Sequence, residues 1–214
     1  MRLLCLNYCG LGNPETVQEF HDLMKQEASQ VVFLMETRLE VGSMEWIRVK
    51  LGFAGSLAVN RVRFGGGLAL MWDAAISVSM QSYSNWHIDA KMKSKGGVSW
   101  RFIGFYGHPE TSKRPGTWDL LRQLGRGNSE PWLVARDFNE ILVPWEKMGC
   151  ILKAISQMEA FGQVLLDCNL HDLGFCGLSF TWCNDRDEYN VVWERIDRGV
   201  GNEEWSRLFP NSRV

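Results

Sequence analysis

The sequence predicts a layered α/β sandwich, with mixed β-sheets inside and helices outside. Three observations carry this. The N-terminal stretch alternates strand, helix, strand, helix, the pattern of parallel pairing. The middle is a run of strand-like pieces with partial period-two alternation, separated by turn signals. The last third returns to alternating helices and strands.

The elements follow in order. "MRLLCLN" is a short apolar strand. In "NPETVQEFHDLMKQEA" Asn13 caps a helix, Pro14 takes its first position, and Val17, Phe20, Leu23 and Met24 recur at helical spacing. "VVFLMET" reads as a buried strand, and "SMEWIRVKLGF" as a helix capped by Ser43 and ended near Gly52. "GGGLALMWD", "ISVSMQSYS", "HIDAKMK" and "VSWRFIGFYG" form an expected antiparallel meander. A helix at "TWDLLRQL" leads into the strand "PWLVARDF". After it come a helix at "SQMEAFGQVLLDCN", strands at "LSFTWCN" and "VVWERIDRG", and a short helix at "NEEWSRLF".

Composition narrows the class of protein. A chain of 214 residues with 45% hydrophobic and 22% charged residues can bury a sizeable core, and one domain over residues 1–214 is expected. Runs such as "VVFLM" are too short to span a bilayer, and Met1 to Leu6 lacks the pattern of a secretory signal. A net charge of −2 argues against a surface that is basic all round. Cys5, Cys9, Cys150, Cys168, Cys176 and Cys183 form no CxxC pair and no zinc spacing with His. They are expected as reduced core thiols of a cytosolic or nuclear protein.

Polar residues fall where strands end. Asn7 closes the first strand, Glu36 ends "VVFLM", Tyr106 ends "RFIGF", Asp137 and Asn139 end the strand "WLVAR", and Asp197 lies within or just after "VVWERI". Sheets aim groups from such ends while loops leave room for a ligand. Converging carboxylates with no Cys or His partner suit a hard cation, Mg²⁺ or Mn²⁺. Each residue also has an ordinary reading. Asn7 and Asn139 can make Asx-turns, Glu36 can be a surface charge, Tyr106 sheet filler, and Asp197 a surface partner of Arg195 or Arg198.

The segments "LNYCGLGNPETVQEFHDLMKQEASQVVFLMETRL", "GGGLALMW", "GFYGHPETSKR", "PWLVARDFNEIL" and "FTWCN" through "NEEWSRLFPNSRV" carry a resemblance. Over essentially its whole length the chain resembles the endonuclease domain of plant LINE-type non-LTR retrotransposons, of the exonuclease/endonuclease/phosphatase superfamily. That resemblance implies a four-layered α/β sandwich, two mixed sheets flanked by helices. It implies Mg²⁺- or Mn²⁺-dependent hydrolysis of phosphodiester bonds and nicking of target DNA. Glu36 and Asn7 match the metal-binding positions, and Tyr106 the contact to the scissile phosphate. Asp137 and Asn139 match the motif that activates water, Thr181 falls near a phosphate contact, and Asp197 matches the Asp that orients a catalytic His. The expected partners are DNA and, in a full-length element, a reverse-transcriptase domain in cis. The expected state is a monomer, nuclear or cytoplasmic, not secreted and not membrane-bound. A phosphomonoesterase of the same superfamily, or a non-catalytic remnant, are the alternatives.

The chain also departs from that pattern. The family's final strand with Ser-Asp-His is not present before Val214, so the domain is expected to be truncated, lacking the last strand, with impaired turnover. Cys9 stands where the family has a basic residue, and Arg136 where it has Gly before the Asp. Strand alternation predicts that Arg136 points away from the face of Asp137, towards a packed interior where a guanidinium needs a partner. If Gly serves a positive φ there, Arg is strained; if Arg136 bends towards Asp137, it lowers the pKa of that carboxyl. His108 is expected to face solvent in a loop.

Overall fold

Parallel pairing opens the fold. β1 (Leu3–Asn7) lies beside β2 (Val31–Met35) in parallel, linked by α1 (Pro14–Glu27). The computed structural model describes residues 1–8, 11–62, 66–149, 152–184, 186, 190–212 and 214. Cys9 and Cys150, named above, lie outside them. The chain divides into two compact units, Met1–Gly104 and Phe105–Val214.

In the first unit α2 (Val41–Leu51), β3 (Gly55–Val59) and β4 (Leu68–Trp72) complete a sheet of order β1-β2-β4-β3. β3 escaped the sequence reading, and β4 belongs to this sheet rather than to the meander. Its register explains why. β4 is a central strand, paired antiparallel with β2 on one edge and β3 on the other, and Leu68–Met71 are buried on both faces, which erases their alternation. Val32, Leu34, Ala69 and Met71 share a core with Val17, Phe20 and Met24 of α1 and Met44 and Ile47 of α2. Phe33 faces the other way, against Phe102 at a centroid distance of 5.9 Å.

β5 (Ile76–Ser84), β6 (His87–Ser94) and β7 (Ser99–Tyr106) follow in order as the expected meander. Phe33 also touches β7 at Gly104, where a Cβ would stand 2.3 Å from the ring. The caps agree in part with expectation. Asn13 accepts from the N–H of Glu15 at 3.0 Å and Pro14 opens α1. Gly52 closes α2 at φ 76. Ser43, however, lies inside α2, whose cap is Glu40 with no side-chain bond; the helix starts earlier because Val41 N–H is taken by Asn60 Oδ1 at 2.9 Å.

The second unit contains the end of β7, α3 (Arg114–Gly125), β8 (Trp132–Asp137), β9 (Lys147–Met148), α4 (Ile155–Asp167) and β10 (His171–Asp172). β11 (Trp182–Cys183), β12 (Trp193–Glu194), β13 (Asp197–Gly201) and α5 (Glu203–Leu208) complete it. Here β7, β8, β13 and β10 are neighbours in that order, and β11-β12-β9 form a small separate sheet. The fold is mixed α/β, its two large sheets flanked by helices. Phe138 links the layers, 5.2 Å from Phe105 and 5.3 Å from Phe161 of α4, which stacks on Trp118 of α3.

The expected strand "VVWERIDRG" is broken into β12 and β13 at Arg195 and Ile196. A buried charge cluster lies at the break. Arg195 pairs with Glu146 at 2.7 Å and Asp172 at 2.8 Å, and Arg198 with the same two carboxylates at 2.8 and 2.7 Å. The break falls where the chain passes from the small sheet that holds β12 to the large sheet that holds β13. Of the four described cysteines only Cys168 is buried, and Cys176 is exposed, so the core-thiol expectation holds for one.

Candidate active site

The first unit supplies an amide and a carboxylate at adjoining strand ends. β1 and β2 run parallel with Asn7 opposite Met35, and the N–H of Tyr8 donates to Met35 O at 3.0 Å. Glu36 therefore emerges beside the end of Asn7's strand. Its backbone is left-handed, φ 54, as is that of Arg38. A bulky residue there is uncommon and costs energy, so surrounding structure must enforce it. It does: Thr37 and Arg38 N–H groups donate to Gly67 and Gly66 carbonyls at 3.2 and 3.0 Å. Gly67 itself needs φ 90, and a Cβ on it would stand 2.5 Å from Thr37 Oγ1, a buried hydroxyl with no hydrogen-bond partner among the described residues. Glu36 is mostly buried, with Arg38 Nη2 3.6 Å away.

Among the described residues no three His, Cys, Asp or Glu side chains group to hold a metal. Asn7 and Glu36 are nonetheless oxygen donors of the kind Mg²⁺ accepts. That ion keeps several waters and takes only one or two carboxylates from a protein. The donor set fits it and does not fit zinc.

The second unit places Tyr106, Asp137, Asn139 and Asp197 together. β8 pairs antiparallel with β13 so that Asp137 lies directly opposite Asp197. Asp137 is 5% exposed. Its Oδ1 accepts from the N–H of Asn139 at 2.7 Å, so the Asx-turn belongs to Asp137 and not to Asn139. Asn139, left-handed at φ 54, donates its Nδ2 to Gly107 O at 2.9 Å, while Gly107 N–H donates to Asp137 O at 2.7 Å. A Cβ on Gly107 would stand 2.5 Å from Phe138 O, so only glycine lets the end of β7 approach this turn. Tyr106, just before it, is buried.

Burial first, and the Asp197 charge second, push the Asp137 carboxyl up to about 8, against opposing pulls from the Asn139 N–H, Arg136 and Arg114. The expectation that Arg136 would lower it describes a real but minor effect. Burial overrides it.

Arg136 carries the rarest backbone of the site, φ 126. Register alone would send its side chain to the face of Arg198, its partner on β13. Instead Arg136 Nε lies 3.1 Å from Asp197 Oδ1, an ion pair rather than an aligned hydrogen bond, with the Arg136 side chain 27% exposed. The anticipated need for a partner is met, and the anticipated direction is not. Asp197 pairs with Arg136, whereas Arg195 and Arg198 belong to Glu146 and Asp172. Thr181 is tied to the same place: its Oγ1 accepts from the N–H groups of Ile196 and Asp197, each at 3.1 Å. The His108 ring turns back on its loop, where Nδ1 accepts from Glu110 N–H at 3.0 Å.

Sequence reasoning missed Glu140. It is 0% exposed, immediately after Asn139, and pairs with Arg114 and Lys153, each at 2.8 Å. Its Oε1 also accepts from its neighbour's N–H, Ile141, at 3.0 Å. This carboxylate anchors the loop that follows Asn139. Nothing local marks it, because both cations come from distant segments.

A scan against family models gives no match, and neither does a comparison with curated proteins. Solved structures do match. The endonuclease domain of TRAS1, a telomere-specific non-LTR retrotransposon, aligns with TM-score 0.67 at 12% identity, covering 94% of this chain and 85% of its own. An AP endonuclease from Archaeoglobus fulgidus aligns with TM-score 0.69 at 12% identity, with 94% and 85% covered. The 3′ phosphatase NExo from Neisseria, bound to a product DNA hairpin, aligns with TM-score 0.67 at 15% identity, with 95% and 87% covered. At these identities the likeness is one of fold. The fold these proteins share with the chain is the mixed α/β sandwich described above.

Proposed function

We propose that this chain is a divalent-metal-dependent hydrolase of phosphodiester bonds in DNA, of the nicking type, and of plant LINE retrotransposon ancestry. The observation that carries it is Asp137, a buried carboxyl with its proton affinity raised to about 8, held by Asn139 and set opposite Asp197. A group poised near neutrality suits removal of a proton from an attacking water. The names of the structural neighbours, which include DNA nucleases and a phosphatase, support the substrate class.

In this reading Glu36 and Asn7 would hold Mg²⁺ or Mn²⁺, which would supply positive charge to offset that of the phosphate and leaving oxygen. Asp137 takes the proton of water, and the Asn139 amide, locked to Gly107, holds the turn that aims it. Tyr106 orients the phosphate, and Thr181 keeps Asp197 in line through two backbone bonds. Turnover is impaired, since the Asp197 carboxylate is already engaged by Arg136. A reverse-transcriptase domain in cis and a nuclear site of action complete the reading.

Plasmid nicking with Mg²⁺ tests it. Weak nicking that disappears in Glu36→Ala and Asp137→Asn is expected. Strong Glu36-dependent nicking would overturn the impairment, and none at any metal concentration would overturn the activity. The phosphatase in the comparison favours a second reading, a phosphomonoesterase. Hydrolysis of terminal phosphates without nicking would establish that one instead.

A further inference from the structure

We propose that Arg136 is the fixed counter-ion of the Asp137–Asp197 pair, a positioning residue that holds two opposed carboxylates in register from within the chain. It rests on the reading above only for the importance of these carboxylates. Three observations carry it. Asp137 and Asp197 are direct cross-strand partners, the arrangement in which like charges destabilise a sheet. Both are poorly solvated, Asp137 at 5% exposure and the Asp197 side chain at 11%. Arg136 reaches Asp197 only because φ 126 turns its side chain off the face its register would give.

A glycine would adopt that backbone without strain. The arginine tolerates the strain and delivers a cation where the pair needs one. The other charges nearby are committed or more remote in effect. Arg198, opposite Arg136, is bound to Glu146 and Asp172; Arg114, at the start of α3, is bound to Glu140 and acts weakly on Asp137. Tyr106 is the titratable group at the adjoining end of β7.

Conformational preference and charge make opposite forecasts for one set of variants. If backbone strain dominates, Arg136→Gly melts above wild type and Arg136→Lys gains nothing over Gly. If Arg136 is the counter-ion, Arg136→Lys melts above Arg136→Gly at pH 9, and Arg136→Gly falls below wild type by about 3 °C or more. That gap narrows at pH 5, where carboxylate repulsion fades, and it closes in an Asp197→Asn background. The experiment is thermal unfolding of the full chain in low-salt buffer with chelator. A glycine variant as stable as wild type at pH 9, or a gap unchanged by Asp197→Asn, overturns the proposal. Nicking is not the readout, so this proposal and the proposed activity fail separately.

Discussion

The backbone N–H of Asn139 donates to Asp137 Oδ1 at 2.7 Å while the side chain of Asn139 donates to Gly107 O at 2.9 Å. One residue thus fastens the turn after β8 to the end of β7. Asn139 sits at φ 54, a region asparagine tolerates better than most residues. Asn139→Ala loses both the amide bond and that tolerance, and stability should fall by about 1–3 kcal/mol. Asn139→Gly keeps the backbone and should recover part of the loss. Chemical denaturation of both variants checks the order; an alanine variant equal to wild type would exclude the fastening role.

Asp137 makes stability depend on pH. Its folded pKa, about 8, lies above the unfolded value of ~3.9 for an aspartate, so the folded state binds the extra proton between them. Stability from this group therefore falls as pH rises from about 4 to about 8. Asp137→Asn removes the titration while keeping the shape. In metal-free buffer it should unfold with a flatter pH profile and melt above wild type at pH 9. A profile as steep as wild type's would place the titration elsewhere.

Glu36 is tested by metal-induced stabilisation. A ligand at a hundredfold over its Kd stabilises the folded state by about 2.7 kcal/mol. Saturating Mg²⁺ should raise the melting temperature of wild type, and Glu36→Gln should lose most of that rise. The rise is read for each protein against its own chelated form, which separates metal binding from the loss of the Glu36 carboxylate beside Arg38, 3.6 Å away. An undiminished rise in the variant would remove Glu36 from the metal site.

The buried charge cluster predicts unequal costs for similar changes. The Arg198 side chain is 0% exposed and pairs with Glu146 and Asp172, both held below the usual carboxylate range by their arginine partners despite burial. Arg198→Ala leaves buried charge uncompensated and should cost about 3–5 kcal/mol. Arg207, on exposed α5 and paired with Glu203 at 2.5 Å, should cost well under about 1 kcal/mol when changed to Ala. Equal melting temperatures for the two variants would contradict this account.

Gly104 tests the packing of Phe33. A Cβ there would meet the Phe33 ring at 2.3 Å, inside a fully buried layer. Gly104→Ala should destabilise by about 1–3 kcal/mol, and Phe33→Leu in the same chain should restore part of it. Failure of the second change to help would show that the strain lies in the backbone.

Periodicity and capping determined the outline without help. Asn13 and Pro14 placed α1, the five apolar residues of β2 announced a strand buried on both faces, and the parallel start followed. The polar residues at strand ends were legible too, because a strand that stops on Asp, Asn or Glu signals by local composition. Register and backbone direction were decided elsewhere. That Asp137 faces Asp197 depends on a pairing sixty residues apart in the chain, and the about-8 pKa depends on the burial that pairing creates. The sheet membership of β4 was hidden because burial on both faces removes alternation, and β3, an edge strand half-buried along its whole length, shows no alternation either. Glu140 was hidden because its cations are Arg114 and Lys153, brought to it only by folding. Arg136 shows the division most clearly. Its identity announced an oddity before Asp137, but only φ 126, a property of the folded backbone, aims its charge at Asp197.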